Sequence, residues 1–168
     1  MTISMYDVSV SVFTRGLAQL SHVLDKGLTH VKTSDADPAT LVQARLAPDM
    51  LTLAGQVQRA SDASKFGVAR IAGVTAPSFA DTEVSFEELQ SRIAKTVDFL
   101  NSVDRAEIDG HEDRSISLKV GGHELTLDAQ RYLLQFALPN FFFHVTTAYD
   151  VLRNAGVPVG KLDYLGRF

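Results

Sequence analysis

The stretch PNFFFHVTTAYDVLR, residues 139–153, decides how the chain must fold. A helix formed by this stretch is apolar on nearly every side, which is typical of a helix packed inside a protein. Asn140 and His144 are four residues apart, and residues at that spacing lie on one face of a helix. We therefore expect both side chains to point into one buried space, where each needs a structural partner or a ligand.

The composition indicates a single domain that spans residues 1–168. A chain of 168 residues with 45% hydrophobic residues can fill one core. Lysine and arginine total 16, aspartate and glutamate total 20, and the basic residues are scattered, so we expect no nucleic-acid and no membrane partner. The absence of cysteine excludes disulfides and thiolate metal sites. Because the sequence shows neither a leader-like N-terminus nor a membrane-spanning apolar run, the predicted location is cytoplasmic.

Apolar residues recur every three or four positions along most of the chain, which is the pattern of amphipathic helices. Helix start signals accompany the pattern, namely Asp37 before a proline, Pro48, and the Ser85-x-x-Glu88 form of a capping box. The predicted long helices cover about 4–31, 48–72, 85–103 and 128–154, the last with a kink near Pro139, and a short helix covers about 37–46.

Residues 115–127 alternate on either side of Gly121-Gly122, which predicts a hairpin with a two-residue turn. The register places Leu118 opposite Leu125 and Lys119 opposite Glu124. Apolar side chains therefore face each other across the strands, and so do side chains of opposite charge. The predicted fold is therefore an all-α four-helix bundle with a short extra helix, a small β-hairpin before the last helix, and a C-terminal tail at about 157–168.

The last helix resembles a known family. The run HVTTAYDVLRNAGVPV, from His144, is similar to the final helix of the DinB/YfiT-like four-helix bundles. The segments LPNFFFH (138–144) and GKLDYLG (160–166) resemble, more closely, an uncharacterised domain-of-unknown-function branch of that superfamily. The closer resemblance extends over most of the chain and implies the same bundle.

The resemblance also implies where a metal would lie. Metal-bearing members hold a divalent ion with three histidines, one on the second long helix and two on the last. Carried over to this chain, those positions fall at about Gln56, at Asn140 and at His144. An amide oxygen is a poor ligand for zinc or nickel, whereas neutral imidazole suits both. We therefore predict no metal cofactor and keep zinc or nickel as the alternative.

A candidate pocket is expected around these positions, with Thr147 and Tyr149 as further members. For His144 the alternative is a core histidine that bonds to a carbonyl, to Asn140 or to Gln56. The remaining histidines show no ligand spacing and are assigned structural roles: His22 on a solvated face, His30 near a helix end, His111 in a loop and His123 beside the turn.

Two functions from different classes stay open. The first, which we favour, is a non-catalytic or small-ligand-binding bundle with a degenerate metal site, whose helical faces are compatible with a homodimer. The second is a metal-dependent thiol transferase or hydrolase with altered ligands. No Gly-x-Ser-x-Gly elbow or phosphate-binding glycine-rich loop occurs in the sequence.

Overall fold

The computed structural model describes residues 3–34 and 37–166, in which four long helices form a bundle. Residues 167–168 of the predicted tail lie outside the described residues. In chain order a π-helical turn (Asp7–Ser11) leads into α1 (Val12–Thr33), followed by α2 (Pro38–Val42), α3 (Leu53–Ala72), α4 (Phe86–Ser102), a 3-10 turn (Arg105–Glu107), β1 (Ser115–Val120), β2 (His123–Asp128), α5 (Ala129–Tyr132), a second π-helical turn (Leu133–Ala137), α6 (Leu138–Asn154) and α7 (Lys161–Leu165).

The bundle confirms the predicted fold class. Helix α3 contacts α6 and α4, and α1 contacts the same two helices, so the core lies between these four elements. Gly16 permits the close approach of α1 and α6, because a Cβ atom at this position would overlap the Phe141 ring. Phe141 in turn meets Phe13 edge to face, with 5.0 Å between the ring centroids. Within the described residues, no helix is both long enough and apolar enough to cross a membrane.

The local start signals and the hairpin are confirmed. The Asp37 carboxylate accepts hydrogen bonds from two backbone amides of α2, and the Ser85–Glu88 capping box is complete. The strands β1 and β2 are antiparallel, and the pairing places Leu118 opposite Leu125, as predicted. Short-range hydrogen bonds therefore determine these features without help from the rest of the fold.

Two helix boundaries differ from the predictions. Helix α2 ends at Val42 rather than at about 46, and α3 begins at Leu53, after the N-cap residue Thr52, rather than near 48. The reason is a backbone hydrogen bond of 2.9 Å from the Leu53 amide to the Ala44 carbonyl, which folds the connection back on itself. Pro48 therefore lies in a turn and not in the first turn of a helix.

The predicted kink at Pro139 is replaced by the π-helical turn just before it. Pro139 occupies the first turn of α6, and the Leu138 amide bonds to the carbonyl of Leu133, five residues earlier. A proline clashes with the carbonyl four residues before it, and a wider turn relieves that clash. The chain therefore continues from α5 into α6 without a break in helical backbone.

Ion pairs are buried where α3, α4 and the 78–83 segment meet. The Arg92 side chain is 1% exposed and contacts Asp62 at 3.0 Å, Asp81 at 3.0 Å and Glu83 at 2.9 Å. Lys65, with a side chain that is 2% exposed, contacts Asp62 at 2.8 Å. We call the whole set the Arg92 cluster; its members are Arg59, Asp62, Lys65, Asp81, Glu83 and Arg92.

The Arg92 cluster is balanced, because three cations face three carboxylates. Burial raises the pKa of Glu83, but hydrogen bonds from Arg92 and Gln58 outweigh burial, and the pKa lies below its usual value. The Phe79 ring covers the cluster, with the Lys65 ammonium 4.3 Å from its centroid. A loop with little hydrophobic burial of its own is thereby fixed to the bundle.

Helix α7 is fixed to α1 by the Asp163 carboxylate and by a hydrogen bond of 2.8 Å from the Arg15 guanidinium to the Leu165 carbonyl. Asp163 accepts hydrogen bonds from the Lys26 ammonium at 2.9 Å and from the Gly160 amide at 2.8 Å, and lies 3.0 Å from His22 Nε2. These hydrogen bonds, that from Lys26 first, lower the pKa of Asp163 to about 2 although burial opposes the shift. Part of the predicted tail is thus a docked helix.

We expect Asp62→Ala to lower the free energy of unfolding by about 3–5 kcal/mol, because it leaves Lys65 and Arg92 buried without their shared partner. The control is Arg105→Ala, which removes an exposed ion pair with Asp7 and is expected to change stability far less. Urea denaturation of both variants measures the difference. Equal losses of unfolding free energy in the two variants would show that the buried ion pairs of the Arg92 cluster stabilise the fold no more than an exposed ion pair does.

We expect the docking of α7 to weaken in acid. A carboxylate with a lowered folded-state pKa stabilises the fold above its unfolded pKa of about 3.9, and that contribution is lost as pH falls towards the folded value of about 2. The stability difference between the native protein and Asp163→Asn should therefore shrink between about pH 4 and pH 2. Hydrogen exchange of the α7 amides over this range measures the effect, and a constant difference would contradict it.

Candidate functional site

Gln56 and His144 form a direct hydrogen bond between α3 and α6. The distance from Gln56 Oε1 to His144 Nδ1 is 2.8 Å, and the Gln56 side-chain nitrogen donates to the Leu51 carbonyl at 3.3 Å. Since the amide oxygen can only accept, His144 Nδ1 carries the hydrogen, and neutral imidazole leaves Nε2 as its acceptor. Gln56 is 2% exposed, so its amide has little access to water, and the hydrogen bond from His144 satisfies the buried amide oxygen.

The imidazole of His144 is kept neutral by its surroundings. Partial burial is the larger cause that lowers its pKa, and the positive charge of Arg59 lowers it further. Arg59 follows Gln56 by three residues on α3, so both lie on the same face of that helix. The charge that disfavours imidazolium also disfavours a divalent cation at this place.

Asn140 lines a neighbouring pocket instead of joining the hydrogen bond between Gln56 and His144. The pocket has a volume of about 180 Å³, and Arg59 and Arg70 reach it from α3. Asn140 is half-buried, and its amide forms no hydrogen bond with any described residue. The remaining wall combines three aromatic rings with a carboxylate and two small side chains, from Phe66, Tyr132, Phe136, Asp62, Ala63 and Ala137.

Thr147 and Tyr149 lie on the same helix but make other contacts. The Thr147 hydroxyl donates to the Phe143 carbonyl at 2.7 Å, one turn earlier in α6. The Tyr149 ring packs edge to face on Tyr164 of α7, with 5.9 Å between the ring centroids. The five predicted pocket residues therefore divide between the Gln56–His144 pair, the pocket of Asn140 and these two local contacts.

The residues at the three family metal positions do not fit zinc or nickel. They offer two amides and one imidazole, and the two amides lie apart, because Gln56 bonds to His144 while Asn140 lines the neighbouring pocket. Among residues 3–34 and 37–166, no group of three or more histidine, aspartate or glutamate side chains has the arrangement of a metal site. We therefore derive no chemical step through a metal.

The Arg92 cluster was not predicted from the sequence, although one signal for it was present. Lys65 and Arg92 each lie within the apolar stripe of a helix, beside buried Ser64 and Ile93. A cation in such a position needs a buried partner. Its partners at 81 and 83 lie in a loop, and the order of residues along the chain does not show which side chains a loop brings back to a helix.

Comparison with known proteins agrees with the fold. The family model described as "Domain of unknown function (DUF1993)" matches residues 5–165. The crystal structure of a DinB family member from Shewanella denitrificans superposes with a TM-score of 0.88 at 36% sequence identity, covering 97% of this chain and 92% of that one. No protein with a curated description matches this chain. The chain therefore belongs to the DinB-like family defined by this domain of unknown function (DUF1993).

Proposed function

We propose that this protein is a non-catalytic bundle that binds a small ligand without a metal, and that the former metal positions hold a structural amide–imidazole pair. The observation that carries the proposal is the 2.8 Å hydrogen bond between Gln56 and His144. It engages the single histidine of the three family positions with an acceptor, in an environment that Arg59 makes unfavourable for a cation.

The pocket of Asn140 supports the ligand-binding part of the proposal. It combines the Asn140 amide, which has no hydrogen-bond partner among the described residues, with the guanidinium groups of Arg59 and Arg70. The Arg70 guanidinium lies 5.4 Å from the centroid of the Phe66 ring and donates to the Tyr132 hydroxyl at 2.9 Å. A small ligand with an acceptor group and a flat body fits such a wall of donors and rings.

The metal-free proposal is tested by elemental analysis of protein purified without an affinity tag. We expect zinc and nickel far below one ion per chain. The double substitution Gln56→His with Arg59→Gln places a second imidazole beside His144 and removes the opposing charge, so it should raise the zinc content above that of the native protein. The matched control adds His144→Ala to the double variant and should lose that zinc.

Stoichiometric zinc or nickel in the native protein, lost on His144→Ala, would overturn the metal-free proposal. It would favour the alternative, a metal-dependent thiol transferase or hydrolase with altered ligands. In that case the ion would bind Nε2 of His144, while Nδ1 keeps its hydrogen bond to Gln56.

The influence of Arg59 on His144 is tested by NMR titration of the imidazole. We expect Arg59→Gln to raise the pKa of His144, because the variant removes the nearby positive charge while burial remains. Arg131→Gln, an exposed cation at the far end of the helical segment, is the control and should leave the pKa unchanged. An unchanged pKa in Arg59→Gln would show that this charge does not act on the site.

A further inference from the structure

Helix α7 forms one wall of a small pocket whose other walls are α1 and α6. The volume of this pocket is about 150 Å³. We call it the α7 pocket; its apolar members are Val12, Gly16, Phe142, Val145, Tyr164 and Leu165, and its polar members are Arg15 and Gln19. It shares no lining residue with the pocket of Asn140.

The floor of the α7 pocket is part of the hydrophobic core. Val145 is 2% exposed, and Phe142 is half-buried and packs against the core residues. Water finds few hydrogen-bond partners on such a floor, whereas an apolar cavity of about 150 Å³ is large enough to hold one benzene ring. The walls therefore favour an apolar ligand of that size.

Aromatic rings stand on two walls of the pocket. Phe142 of α6 packs edge to face on Phe141, with 5.1 Å between the ring centroids, and Tyr164 of α7 packs in the same way on Tyr149 at 5.9 Å. Edge-to-face pairs add to the stabilisation that burial of the rings alone provides. A ligand ring placed between Phe142 and Tyr164 would extend both pairs, so the pocket favours an aromatic ligand.

The polar groups of the pocket are directed to the protein itself or carry no charge. The guanidinium of Arg15, an exposed residue, donates to the Leu165 carbonyl at 2.8 Å. The Tyr164 hydroxyl lies 3.0 Å from the Thr146 hydroxyl, within hydrogen-bond distance. Gln19 is uncharged. A neutral ligand therefore fits these walls without leaving a buried charge.

Helix α7 can move without opening the core. Its five residues, all of which the structure describes, are exposed or half-buried. The chain just before it is anchored by Val157 and Val159, each of which is 1% exposed. Because α7 is held mainly by polar contacts at the surface, it can detach locally while the bundle stays folded.

We propose that the α7 pocket binds one small neutral aromatic molecule and that α7 is the lid that opens to admit it. The ring lies on Val145, between Phe142 and Tyr164. Nothing in this assignment involves Gln56, His144 or the pocket of Asn140, so it does not rest on the function proposed above.

Methyl NMR of the full-length protein tests the site. The protein is titrated with benzene, with cyclohexane and with sodium benzoate at constant ionic strength. We expect saturable shifts of the Val12, Val145 and Leu165 methyl resonances with benzene. Cyclohexane should bind more weakly because it has no aromatic ring, and benzoate should bind more weakly because its charge must be buried.

Filling the pocket should abolish the binding of benzene. Val12→Phe places a ring in the pocket from α1 and should weaken binding at least about tenfold. The matched control is Val84→Phe, the same exchange at a valine that is 63% exposed, which should leave the dissociation constant unchanged. Leu165→Phe fills the pocket from α7 and leaves the bundle itself unaltered, and thermal unfolding shows that each variant is folded.

Hydrogen exchange of the α7 amides tests the lid. If the ring must leave before α7 detaches, benzene at about ten times its dissociation constant should slow exchange of these amides about tenfold. In Val12→Phe the same concentration of benzene should not change the exchange rates.

Four results would overturn the proposal. The first is the absence of any saturable shift, and the second is an unchanged dissociation constant in both Val12→Phe and Leu165→Phe. The third is tighter binding of cyclohexane or benzoate than of benzene, which would exclude a neutral aromatic molecule as the preferred ligand. The fourth is unchanged exchange of the α7 amides when the pocket is saturated, which would show that α7 is not a lid.

Discussion

The burial of charge between α3 and α4 is the constraint on which the surrounding structure depends. Lys65 and Arg92 project from the inner faces of these helices, where an unpaired cation would be strongly unfavourable. Asp62 pairs with both from within the bundle, and the further carboxylates that Arg92 contacts, Asp81 and Glu83, come from the loop. The need to pair these cations therefore fixes the path of a loop that contributes little apolar surface.

The same cluster separates two regions with different chemistry. On the α6 side, burial and then the positive charge of Arg59 lower the pKa of His144, whose Nδ1–H donates to Gln56. On the other side, a pocket lies between α4 and the 78–83 segment, and the carboxylates in its wall already have hydrogen-bond partners from the protein. Family membership defines the bundle, whereas function depends on the residues at individual sites.

Much of the fold could be predicted because its signals are local. The capping box at Ser85 and the turn at Gly121-Gly122 are determined by neighbours in the chain, and both were confirmed. The boundaries of α2 and α3 could not be predicted, since a hydrogen bond between Leu53 and Ala44 decides them. The π-helical turn before Pro139 likewise reflects a local clash that is relieved by a change of helix type.

The sequence by itself determined the bundle and the hairpin, because these depend on residue type and spacing. Only the tertiary structure decided that His144 bonds to Gln56 rather than to Asn140, and that Lys65 and Arg92 share Asp62. The physical reason is that a polar side chain in a core takes whichever partner packing brings within about 3 Å. That choice depends on residues far apart in the chain.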